Sequence, residues 1–200
     1  MIRIWSSVVA TIAALVVAGC STTDGEGGVA ATVTETVTST PPMETSPANS
    51  ETTTEGGDAG PKSAPASEGA RLTVTDIRIG THDGFDRVVY ELGGTGLPGW
   101  RVSYVDEAVQ DGSGFPVDVA GNAILEVRIT GSAYPFDSGV EPYDGPDPVR
   151  AQPGGSVVEV RSALVFEGVT QSFVGISEPG RPFSVDVLTN PTRLVIDVQR

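Results

Sequence analysis

From Ala70 onward the chain is built of short runs in which apolar and polar residues alternate, each run closed by Gly, Pro, Asn or Asp. A period of two puts alternate side chains on opposite faces of an extended strand, whereas a helix buries positions three and four apart. No stretch after residue 70 carries ten residues at the helical period with a capping signal. The runs are Arg71 to Ile79, Arg87 to Leu92, Arg101 to Val105, Phe115 to Val119, Ala123 to Thr130, Val157 to Phe166, Ser172 to Ile176, Phe183 to Leu188 and Arg193 to Gln199. In the first, Leu72 and Val74 share a face, and the shift to Ile77 and Ile79 predicts a bulge or a twist before them. In the last two, Phe183, Val185 and Val187 match Leu194, Ile196 and Val198. The pattern predicts an all-β fold, an antiparallel β-sandwich of about 8–9 strands over residues 70–200.

The residues before it read differently. Met1 to Ser7 carry one positive charge, Val8 to Gly19 form an apolar run too short to span a bilayer, and Val17-Ala18-Gly19-Cys20 follows. That tetrapeptide resembles a lipobox, the small-residue site at which bacterial lipoprotein signal peptides are cut before a Cys. The resemblance implies a signal peptide at residues 1–19, lipidation of Cys20 by acyl chains such as palmitate, and a membrane-anchored lipoprotein on the extracytoplasmic side. The alternative is an ordinary secretory signal with Cys20 at the cleavage site. Cys20 is the single Cys of the chain, which excludes a disulfide framework and a multi-Cys zinc site.

Residues 20–69 hold the lipidated Cys and a linker. Thr, Ser, Gly and Pro occupy 29 of positions 21–69, and eight carboxylates face Lys62 alone. Such a composition offers no periodic apolar face to offset the entropy of ordering, so a disordered tether is expected, reaching roughly 35–40 Å as a flexible coil. Its Thr/Ser/Pro runs are also candidates for O-glycosylation, with an unmodified spacer as the alternative.

Two ends of the 70–200 region resemble a known family. Thr75 to Leu92, with the turn His82-Asp83-Gly84-Phe85-Asp86-Arg87 feeding a second strand, is similar to the opening of an AMIN-like domain. Phe183 to Val198, with Asn190-Pro191 before the last strand, is similar to its close. The form of the turn, with eleven Arg against one Lys in the chain, resembles the AMIN-like lipoproteins of high-GC Gram-positive bacteria. The resemblance implies a β-sandwich that places a protein at the cell envelope, and the expected ligand is cell-wall peptidoglycan, its glycan or its peptide.

Charge narrows the partners. The chain carries a net −14, and residues 70–200 hold 18 carboxylates against 10 arginines, a net of −8. That field repels polyanions, which excludes a nucleic-acid binder. The turn at His82 is the densest group of functional side chains. His82 with Asp83 and Asp86 has the residue types of a divalent-metal site, but adjacent turn positions do not converge on one ion. The alternative is a structural hairpin in which Gly84 takes a positive φ, Asp83 or Asp86 caps backbone amides and Arg87 pairs with a carboxylate across the turn. No Gly-x-Ser-x-Gly elbow accompanies His82, so no enzymatic activity, cofactor or metal is expected.

The second candidate is the Pro-rich stretch 131–155. Tyr134, Phe136 and Tyr143 could form an aromatic platform for sugar rings, with Asp137, Glu141 and Asp144 accepting hydrogen bonds; the acidic spacing does not match an EF-hand. Its alternatives are a loop that covers one end of the sandwich, or a surface through which a scaffold or accessory subunit binds another envelope protein.

Overall fold

The structure, a computed structural model, describes residues 57–200. Expectations for the signal segment at 1–19, Cys20 and the tether up to residue 56 therefore lie outside the described residues. These contain ten strands and one turn of helix: β1 (Lys62–Ala64), β2 (Arg71–Thr81), β3 (Phe85–Thr95), β4 (Gly99–Val105), β5 (Ala123–Thr130), α1 (Pro135–Ser138), β6 (Val149–Arg150), β7 (Val157–Phe166), β8 (Val169–Ile176), β9 (Phe183–Leu188) and β10 (Thr192–Gln199).

They form two antiparallel sheets, one in the order β1-β4-β5-β8-β7-β6 and one in the order β2-β3-β10-β9. The alternation read from the sequence decides which faces meet. Leu125, Val127 and Ile129 of β5 are fully buried, as are Val88 and Tyr90 of β3 and Leu194, Ile196 and Val198 of β10. Each such side chain contributes about 1.5–3 kcal/mol on leaving water. The expected bulge lies at Thr75, where the pairing of β2 with β3 skips a residue between Val74 and Asp76.

Two polar chains cross this core. The Tyr90 hydroxyl meets Ser172 Oγ at 2.9 Å, and Ser172 Oγ donates to the Arg161 carbonyl, next to the register shift in β7. Thr170 Oγ1 donates to Ser132 Oγ, which donates to the Ile129 carbonyl, so the start of the 131–155 stretch is tied into the sandwich.

The structure corrects the expected boundaries in three places. Residues 57–69, read as the end of a disordered linker, are ordered: Lys62, Ser63 and Ala64 pair with Val102, Arg101 and Trp100, and the Phe183 amide donates to the Asp58 carbonyl. The β4 edge supplies this pairing, so no apolar alternation was needed. Phe115 to Val119 is not a ladder strand. It makes one bridge, Val109 to Pro116, and Phe115 is 70% exposed. Finally, the 131–155 stretch contains α1, with Pro135 opening it and Gly139 at φ 71° closing it, and the two-residue β6. Among the described residues no helix is long and apolar enough to cross a membrane.

Residues 106–122 form a strap over the outer face of the larger sheet. Gln171 holds it with Oε1 accepting from the Asp111 amide and Nε2 donating to the Val109 carbonyl. Arg128 pairs with Asp111 at 2.7 Å, and the Ala120 amide donates to the buried Glu159. The Ala120 carbonyl lies so close to Gly175 that any side chain there would overlap it. Phe173 and Ala108 are buried beneath and within the strap.

Candidate functional site

The stretch from 131 to 150 closes the open side of the sandwich, where edge strand β2 of one sheet approaches β7 of the other. Unpaired backbone on an edge strand is costly to bury and invites pairing with another chain. Here the Leu72 amide donates to the Gly131 carbonyl, while the Ala133 and Tyr143 amides donate to the carbonyls of Leu72 and Val74. Thr73 Oγ1 donates to the Ala133 carbonyl and lies 2.7 Å from Ser138 Oγ. Gly93 leaves room for the Val140 side chain against the strand.

Between this cover and the two sheets lies a cavity of about 370 Å³. Core residues Val74, Ile77 and Val160 form its floor, and Tyr134 and Leu164, 40% and 54% exposed, stand at its mouth. Tyr143, Pro142, Pro146 and Asp147 complete the wall. An apolar recess with a few polar groups at its rim is the usual form of a small-ligand site.

The three aromatics expected to act together divide into a pair and a single residue. Tyr134 and Phe136 stack with ring centres 5.4 Å apart and planes within 6°, and Phe136 is 82% exposed. Tyr143 instead folds back over Gly145 and donates its hydroxyl to the Pro146 carbonyl at 3.0 Å. Burial first, then the carboxylates of Asp76, Asp147 and Asp144, push its phenol above the ordinary value. Asp137, Glu141 and Asp144 are exposed on the same loop, while Asp147 is the carboxylate that lines the cavity.

The His82 turn is a tight hairpin between β2 and β3. The His82 amide donates to the Phe85 carbonyl, Gly84 has φ 84°, and the His82 ring stacks on Phe85 at 4.8 Å. Asp83 is exposed at the tip. Arg87 pairs not across the turn, as expected, but with Asp197 on the neighbouring β10, in a bidentate pair with both contacts at 2.7 Å. Asp86 turns inward and is buried. Its Oδ2 accepts the Ser156 and Val157 amides at 2.5 and 3.1 Å, and its Oδ1 accepts Arg200 Nη2 at 2.6 Å. Burial alone would raise this carboxyl, but the bonds from Arg200, Val157 and Ser156 outweigh it and hold it below the ordinary carboxylate value. Asp86 thus clasps one sheet to the start of β7 in the other and to the chain end. Among the described residues no group of three or more His, Cys, Asp or Glu could hold a metal ion.

Sequence reasoning missed the roles of Glu159, Gln171, Leu164 and Val165. The first two carried one signal, a polar residue inside an otherwise apolar strand pattern. The cavity-lining role of the other two carried none, since it follows from how the sheets are closed.

No curated protein and no solved structure matches the chain. The model of the AMIN-like domain matches residues 72–200, the whole of the sandwich from β2 to its last residue. The chain therefore belongs to the AMIN-like domain family.

Proposed function

We propose that the protein is a lipid-anchored, extracytoplasmic binding protein that attaches to cell-wall glycan or peptide through the 131–150 side of its sandwich. Membership in the AMIN-like family suggests a role at the cell envelope or its peptidoglycan in general. The finer reading rests on the stacked Tyr134–Phe136 pair, whose Tyr134 lines the cavity, on a loop that also exposes Asp137, Glu141 and Asp144. Flat aromatic surfaces suit the apolar faces of sugar rings, and carboxylates suit their hydroxyls and the amines of wall peptides. The lipobox resemblance at Cys20 supports the anchor. A binding role is favoured over hydrolysis by the surroundings of His82, whose ring lies flat on Phe85 in an exposed turn.

Retention on insoluble peptidoglycan tests this reading. The protein should sediment with purified wall, and Phe136→Ala with Tyr134→Ala should reduce retention severalfold. Recovery equal to that of an unrelated sandwich protein would refute it.

A second reading, a scaffold or accessory subunit that contacts another envelope protein through the 131–155 loop, is favoured by the apolar surface around this side. Leu164, at the cavity mouth, and Phe136, on the loop itself, are both exposed there. Deleting the loop should abolish in-cell crosslinks to that partner while the rest of the envelope association persists.

A further inference from the structure

The cavity under the 131–150 segment combines an aliphatic floor with an aromatic mouth. Its floor residues Val74, Ile77 and Val160 are at most 6% exposed and carry no polar side-chain atom. Tyr134 belongs to two features at once, because it lines this cavity and stacks on Phe136. A flat ring resting against Tyr134 therefore lies at the mouth of a recess of about 370 Å³, within the size range of small-ligand sites. The polar groups of the lining are mostly engaged. Thr73 Oγ1 donates to the Ala133 carbonyl, and Asp147 already has a partner in the fold. The Tyr143 hydroxyl commits its proton to the Pro146 carbonyl at 3.0 Å, so its oxygen keeps only the capacity to accept. That hydroxyl lies so close to Gly145 that any side chain there would overlap it, and Gly145 and Pro146 line the same cavity.

We propose that this cavity receives the acetamido group of an N-acetylated amino sugar whose ring lies against Tyr134, with the methyl among Val74, Ile77 and Val160 and the N–H donating to the Tyr143 hydroxyl. This rests on the wall-binding reading above and names the glycan, through its N-acetyl substituent, as what the site reads. An aliphatic floor next to an acceptor-only hydroxyl selects a group that carries a methyl beside one neutral donor. A plain sugar hydroxyl in that place offers the donor without the methyl. An ammonium offers a donor too, but its charge would be set against aliphatic side chains beside a carboxylate that is already engaged, and taking it out of water is costly. An apolar side chain of a wall peptide would fill the floor and leave the Tyr143 oxygen without a donor. The sugar ring itself is met by Tyr134, since its apolar face suits an aromatic surface. The acetamido carbonyl faces the open mouth and stays hydrated.

The test sets the full chain against tetramers of N-acetylglucosamine, glucosamine and glucose in the same linkage. Titration should give the N-acetylated tetramer an affinity about tenfold above the other two, the usual effect of one small apolar group in an apolar pocket. Saturation-transfer NMR on that tetramer should show its acetyl methyl protons receiving the largest transfer. Tyr143→Phe keeps the ring and removes the acceptor, so it should lower the preference for the N-acetylated tetramer severalfold while binding of the glucose tetramer and the thermal midpoint hold. Equal or tighter binding of the glucosamine or glucose tetramer, an acetyl methyl that receives no more transfer than the ring protons, or a preference untouched in Tyr143→Phe would overturn the proposal. So would absence of binding by every tetramer. If purified peptidoglycan then still retains the protein, the wall-binding reading stands with the wall peptide as its ligand; if it does not, both fall.

Discussion

Asp86 illustrates how much one side chain of a surface turn can hold. Its carboxylate receives two backbone amides and Arg200 from segments 70 to 114 residues away, and any side chain at Gly155 would overlap it. Asp86→Ala strands those donors and should cost about 2–4 kcal/mol in urea unfolding, with Asp86→Asn, which keeps an acceptor, costing less. Because the folded-state carboxyl sits below its unfolded value, its stabilisation is present above the ordinary value of 3.8 and is lost as the pH falls through the lower folded value. The stability gap between the native protein and Asp86→Asn should thus narrow below about pH 4. Asp186 behaves in the opposite sense. Burial, then the Asp197 carboxylate, push it up against the pull of Arg87, so its charged form is disfavoured in the fold. Asp186→Asn should stabilise the protein by a few tenths of a kcal/mol at pH 7, a gain that disappears in acid. Asp86 was legible only as a turn residue, because nothing local in the sequence announces partners so far along the chain.

At the scale of elements, alternation was a faithful guide wherever a strand has one buried face. The eight long strands and the bulge at Thr75 follow from it. It misled at Phe115, Val117 and Val119, which alternate but lie on the strap, where side-chain contacts from Gln171, Arg128 and Glu159 replace a ladder. It was silent at Lys62–Ala64, whose pairing depends on the β4 edge rather than on its own apolar residues. The strap makes a specific prediction. Gly175→Ala should displace the Ala120 carbonyl, expose Phe173 and open residues 106–122 to limited proteolysis, at a stability cost of about 1–3 kcal/mol. An unchanged cleavage pattern would mean that the strap is held without that close fit. Across the core, Tyr90→Phe removes one partner of Ser172 but leaves its bond to the Arg161 carbonyl, so a loss of only about 1 kcal/mol is expected in the same unfolding assay.

The molecule as a whole presents its two ends unequally. The β2–β3 turn is consumed by structure, with Asp86 and Arg87 bonded inward and sideways and Arg200 returned to it. The 131–150 side keeps a cavity, a stacked aromatic pair and exposed acidic residues in view of solvent. Composition made that stretch legible as the place to look, since five prolines and three aromatics in a stretch without strand alternation demand another purpose. It could not reveal that Tyr143 lines the cavity apart from the stacked pair of Tyr134 and Phe136, because that division depends on how Gly145 and Pro146 receive its ring. The central claim is that this side binds the wall. Co-sedimentation of the protein with purified peptidoglycan, native against the Tyr134→Ala/Phe136→Ala double variant at equal thermal stability, tests it most directly. The account predicts retention of the native protein and a severalfold loss in the variant; equal retention of the two, or none of either, would contradict it.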